Sequence, residues 1–63
     1  MDDRLVVIIA DHDPKRRELR CGALAEHYLA VPCASPVELF ALLAHDEVGV
    51  VLLDLAFPDG PAP

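Results

Sequence analysis

Four residues carry the chemistry this chain could perform: Asp11, His12, Asp13 and Asp54. Asp54 ends the run Val48-Gly49-Val50-Val51-Leu52-Leu53, which has no charge and no hydrogen-bonding side chain. Asp11 ends a second apolar run, Leu5-Val6-Val7-Ile8-Ile9-Ala10. A carboxylate at the end of a buried strand is costly unless something pairs with it. Two apolar strands that both deliver acids at their C-terminal ends point to one shared acidic site. Clustered carboxylates repel one another, so a hard cation such as Mg²⁺, which takes oxygen ligands, is their natural partner. A carboxylate beside such an ion can attack phosphorus and become an aspartyl phosphate. The ion and nearby donors then stabilise the charge of the transferring group.

The elements that must position these acids follow from the hydrophobic pattern. The first strand, β1, spans about residues 5–10 and is apolar throughout, as a parallel strand covered on both faces should be. Asp13-Pro14 opens a helix, α1, over about residues 14–27, with Asp at the N-cap and Pro at the first helical position. Leu19, Gly22 and Ala23 are its expected inner face. The second strand, β2, covers about residues 28–33. Pro32 cannot donate to a ladder, which makes β2 an edge strand. Ser35-Pro36-Val37-Glu38 combines a capping box with Pro at N1 and starts α2, about residues 36–46. Val37, Phe40, Ala41 and Ala44 recur at helical spacing, and Leu39, Leu42 and Leu43 widen the apolar face, so little of α2 is expected to meet water. The third strand, β3, is expected over residues 48–53, followed by a loop over 54–63 whose Pro58-Asp59-Gly60 segment is turn chemistry.

Alternating strands and helices mean a parallel sheet with right-handed crossovers. With β2 at the edge, the strand order is 2-1-3. Ligands of open parallel sheets bind beyond the carboxyl ends of the strands, where the order reverses. Here that place lies between β1 and β3, where Asp11, His12, Asp13 and Asp54 converge. Asp13 is read as an N-cap in preference to a ligand, and His12 is divided between a weak metal ligand and a side chain that lines the site. His27 and His45 are read as surface or capping residues at helix ends. Leu55 and Phe57 are read as packing anchors of the loop.

Composition narrows the classes. The chain has 63 residues, a net charge of -6 and 54% hydrophobic residues, which bounds it to one domain with an apolar content high for its size. That mismatch is the pattern expected of a piece of a larger domain. All five basic residues lie between Arg4 and Arg20, so no nucleic-acid surface is expected from this segment. Arg16, Arg17 and Arg20 are read as a solvated helix face. Cys21 and Cys33 lack metal-type spacing and no secretory signal is read, so both are expected reduced, in a cytoplasmic protein. No apolar stretch approaches the ~20 residues of a membrane span.

Ile8-Ile9-Ala10-Asp11-His12-Asp13-Pro14, with Arg17 three residues on, resembles the acidic opening of a response-regulator receiver domain of two-component signalling. Leu52-Leu53-Asp54-Leu55-Ala56-Phe57-Pro58-Asp59-Gly60 resembles its phospho-acceptor strand and following loop. The resemblance runs from about Leu5 to Gly60 and implies an α/β, flavodoxin-like three-layer parallel sheet. Only β1-α1-β2-α2-β3 of an expected five-stranded domain is represented. By this resemblance Asp54 accepts a phosphoryl group from a histidine kinase or phosphotransfer protein and also holds Mg²⁺. Asp11 binds the ion, through water, and the backbone carbonyl of Ala56 is a further ligand. The product switches an output domain or partner protein, and the module is not an enzyme in the usual sense. Two departures stand out. The family usually has a second acid where His12 stands, and imidazole is a poorer Mg²⁺ ligand than a carboxylate. The hydroxyl residue after a fourth strand and the lysine after a fifth, both of which serve the phosphoryl group, are not in this segment.

Two other functions compete. A receiver-like interaction module that is never phosphorylated is made credible by His12. A haloacid-dehalogenase-type phosphatase would use Asp11 as nucleophile and Asp13 as acid and base, but Pro14-Lys15 departs from that motif and Asp54 is left unexplained. The open apolar edge of β3 is expected to favour pairing with a second chain.

Overall fold

In the computed structural model, which describes residues 3–45 and 47–60, five elements follow in the order β1 (Val6–Ala10), α1 (Pro14–Leu24), β2 (Leu29–Cys33), α2 (Pro36–His45) and β3 (Val50–Leu53). The three strands form one parallel sheet in the order β2-β1-β3. This is the α/β, flavodoxin-like arrangement that the alternation of apolar runs and helix signals requires. Pro32 lies on the edge strand, where its missing N–H costs no ladder bond.

The central strand carries the core. Val7, Ile8, Ile9 and Ala10 are buried because β1 is hydrogen-bonded on both sides. Side chains alternate between faces along a strand. Ile8 and Ala10, with Cys33, face Leu39 and Leu42 of α2 and also meet Val48, Val51 and Phe57. Val7 faces the other way, onto a groove it shares with Leu24 of α1 and with Val50 and Leu52 of β3.

The register places the acids. Ala10 pairs with Cys33 on one side and with Leu53 on the other. The next residues, Asp11 and Asp54, therefore leave adjacent strands at the same level. The Asp54 N–H donates to the Ala10 carbonyl at 2.9 Å, which fixes that level.

Several boundaries and faces differ from the sequence reading. α1 ends at Leu24, not His27, because the Leu24 carbonyl accepts the N–H groups of both His27 and Tyr28 as the chain turns into β2. β3 forms over Val50–Leu53, shorter than 48–53, although Gly49 already donates to the Val6 carbonyl. α2 ends at His45, and Asp46 lies outside the described residues.

The inner face of α1 is not Leu19, Gly22 and Ala23. Leu19 is 74% exposed, and Arg16, Arg17, Cys21 and Leu24 are the half-buried residues instead. Arg16 and Arg17 tether the first turn to Asp11 and so set the rotation of the helix. α2 is also more open than expected. Leu39 and Leu42 pack inward, whereas Val37 and Phe40 are 78% and 69% exposed. An apolar face wider than half a helix is more than one three-stranded sheet face can cover. Its start conforms to expectation: the Glu38 N–H donates to Ser35 Oγ at 3.2 Å, and the Glu38 carboxylate accepts the Ala34 N–H at 2.9 Å. Among the described residues, no helix is long and apolar enough to cross a membrane.

Unequal burial makes a direct test. Ile8→Val should cost about 1 kcal/mol of stability in urea unfolding, since it deletes a methyl from a fully buried position. Val37→Ala, at an exposed position, should change stability by less than about 0.5 kcal/mol.

Candidate functional site

The site is built on two strand ends and one helix start. Asp11 is fully buried. Its Oδ1 accepts the Asp13 N–H at 2.9 Å and an Arg16 Nη2–H at 2.8 Å. Its Oδ2 accepts the Arg16 Nε–H at 2.7 Å and lies 3.5 Å from Arg20 Nη1. The backbone carbonyl of Asp11 accepts from Arg17 at 2.8 Å. A buried carboxylate is tolerated only with such compensation. The fork of Arg16, chiefly, holds the Asp11 carboxyl well below the usual carboxylate range; burial opposes it, and the Asp13 N–H and Arg20 assist. Reciprocally, Asp11 raises Arg16 above the already high guanidinium range.

Asp54 is less enclosed, its side chain being 14% exposed. Its Oδ2 meets the His12 ring at Nδ1, accepts a long bond from the His12 N–H at 3.4 Å and lies 3.4 Å from Arg16 Nη2. Its Oδ1 accepts one bond, from the Ala56 N–H at 3.3 Å. The His12 contact, first, and the two backbone N–H groups lower the Asp54 carboxyl, against burial and the nearby Asp11 charge. The loop after β3 closes over His12. Gly60 has a φ of 91°, a conformation that L side chains rarely adopt, and a Cβ there would stand 3.3 Å from the imidazole. The Gly60 N–H donates to the Ala56 carbonyl, which therefore closes the turn.

Asp13 caps α1 as the sequence suggested, accepting from the N–H groups of Lys15 at 2.9 Å and Arg16 at 3.3 Å. Phe57 packs on the core, but Leu55 is fully exposed and anchors nothing. His27 is a surface residue near Glu26. Burial raises the thiols of Cys21 and Cys33, and both are free.

The largest departure from the sequence reading concerns the arginines. Arg16, Arg17 and Arg20 are not merely a solvated face: all three reach Asp11. Two signals in the sequence carry this. Arg16 and Arg20 stand at i and i+4, on one side of the helix. Long helical side chains also lean toward the helix N-terminus, where the acids lie.

One ligand atom each from Asp11, His12 and Asp54 lie within 4.8 Å of one another. The two carboxylates suit a hard cation, and the imidazole suits a softer one. However, the guanidinium of Arg16 already engages both carboxylates. Among the described residues, no buried side-chain nitrogen or oxygen lacks a partner. With Arg16 in this position, the side chains do not fit a Mg²⁺ ion between Asp11 and Asp54. No family model matches the chain, and no curated protein or solved structure matches it.

The acid limb of stability follows from the two carboxyls. Both are lowered in the folded state, so their stabilisation is complete above the unfolded value of about 3.9 and is lost as pH falls through the folded values. Urea midpoints should fall steadily below about pH 5. Asp11→Asn, although less stable near neutrality, should show a shallower acid slope.

Proposed function

We propose that this chain is a receiver-type signalling module. Asp54 accepts a phosphoryl group from a histidine kinase or phosphotransfer protein, and the altered surface acts on an output domain or partner. The observation that carries this reading is the position of Asp54. It ends β3 beside Asp11, at the reversal of strand order, and it keeps a solvent-reachable carboxylate while Asp11 is sealed.

Within the pair of Asp54 oxygens, Oδ1 has spare acceptor capacity, with one long bond from Ala56. It is the oxygen suited to attack phosphorus. An Oδ–P bond forms and the bond to the donor's leaving group breaks, so the donor departs with its electron pair. His12 and Arg16 hold Oδ2 and orient the carboxylate. Mg²⁺ is the cofactor that the receiver resemblance implies; Arg16 between the two acids weakens its binding, and no step here runs through it.

A second reading is an interaction module that is never phosphorylated. It draws support from the way Arg16 and His12 already satisfy the carboxylates. The phosphatase alternative draws none, since Asp11 is sealed and bidentate with Arg16 and Asp13 is spent on the helix cap.

Incubating the full chain with acetyl phosphate and Mg²⁺ should add an acid-stable, base-labile phosphoryl group at Asp54. Asp54→Asn should abolish it, as read by intact-mass and peptide mass spectrometry. No adduct on the wild-type chain would favour the interaction module, and an adduct on Asp11 would favour the phosphatase. His12→Asp should bind Mg²⁺ more tightly than wild type in calorimetry, because it adds a hard oxygen ligand; equal affinities would overturn the role given to His12.

A further inference from the structure

We propose that Arg16 is the resident cation of the acidic site: its guanidinium bridges Asp11 and Asp54 in place of a divalent ion and must leave before such an ion can bind. This rests on reading the Asp11–Asp54 cluster as the functional site.

The geometry carries the argument. Nε and Nη2 of Arg16 form a fork on Asp11 at 2.7 and 2.8 Å, and Nη2 lies 3.4 Å from Asp54. A planar guanidinium that engages one carboxylate bidentately and nears a second through the same Nη2 does what a bridging ion does. It neutralises two acids that would otherwise repel. The fork is anchored to the backbone, because Arg16 also gives its own N–H to the Asp13 cap. Its head is therefore delivered to the acids by the first turn of α1.

Charge reinforces the point. Arg20 Nη1 is 3.5 Å from Asp11, so two guanidiniums face two carboxylates. A divalent ion entering that balanced group would meet the full positive charge of Arg16 at contact distance. Displacement is nevertheless feasible. The Arg16 side chain is 40% exposed, whereas Asp11 is wholly buried, so the cation can swing outward and the acid cannot. Arg20, one helical turn on, remains to face Asp11 when Arg16 departs. The site is then a two-state device, with Arg16 either bridging the acids or released to solvent.

The test is calorimetric titration of the full chain with MgCl₂. Arg16→Gln removes the charge but keeps a hydrogen-bonding side chain, and it should bind Mg²⁺ on the order of tenfold more tightly than wild type. Its thermal midpoint should rise with added Mg²⁺ while that of wild type stays nearly constant. A folded Arg16→Gln that binds Mg²⁺ no better than wild type overturns the proposal. If the variant does not fold at any Mg²⁺ concentration, wild-type nitrogen-15 NMR decides. On adding Mg²⁺, the Arg16 Nε–H signal and the Asp13 amide, both bonded to Asp11, should stay in place together or move together. An Asp13 amide that shifts while Arg16 Nε–H remains unchanged overturns the proposal. The phosphoryl label on Asp54 is scored separately. A labelled Asp54 with unchanged Mg²⁺ affinity in Arg16→Gln sinks only the bridging role, and tighter Mg²⁺ binding without a label sinks only the receiver reading.

Discussion

A fully buried carboxylate on Asp11 constrains this structure more than any other group. β1 is paired on both sides, so the residue that follows it emerges into the interior and not into water. A charge there demands compensation. The chain supplies it from a single adjacent segment: Asp13 through its N–H, Arg16 through a fork, Arg17 on the carbonyl and Arg20 at the edge. The pairing of Asp11 and Arg16 thereby couples the end of the central strand to the first turn of α1. It also explains why α1 turns Leu19 to solvent and Arg17, Cys21 and Leu24 toward the sheet. For this helix, satisfying one buried charge outweighs burying one leucine, because an unpaired interior charge costs far more than the exposure of an apolar side chain.

The same constraint organises the site. Asp54 reaches Asp11 through strand register, and the guanidinium of Arg16 spans the gap between them. Asp54 is thus held by groups that belong to three places in the chain: His12 after β1, Arg16 on α1 and Ala56 in the following loop. Its accessibility differs from that of Asp11 because β3 is an edge strand and β1 is not. Two chemically identical side chains acquire different capacities from that one difference in position. Asp11 is sealed against its arginines, and the Asp54 side chain stays 14% exposed.

Large parts of the fold were legible in the sequence. Uninterrupted apolar runs marked the strands, Pro32 marked an edge, and Ser35-Pro36-Val37-Glu38 marked a helix start with its cap. These signals are local, since each depends on backbone bonding within a few residues. The ends of α1 and β3 were less legible: α1 stops where the Leu24 carbonyl takes the N–H groups of His27 and Tyr28, and the strand that follows is placed by a distant partner, as where Leu29 donates to the carbonyl of Leu5. The exposed face of α2 is not legible in the sequence for a related reason. Its apolar width is a property of the sequence, but how much of that width is covered depends on what the sheet presents. Leu55 failed as an anchor in the same way, with an apolar side chain but no neighbour against which to bury.

The amino-acid sequence alone determined which residues could be chemical: the acids at the ends of two oily strands, the cap at Asp13 and the histidine between them. It also determined the parallel β2-β1-β3 order, through alternation of elements and the place of one proline. Tertiary structure decided how those acids are satisfied. Only the register of β1 with β3 set Asp11 and Asp54 at one level, and only the rotation of α1 brought Arg16 across both. Periodicity marks a helical arginine as polar; the carboxylate it faces is decided when the helix packs, because charge pairing acts through space and not along the chain.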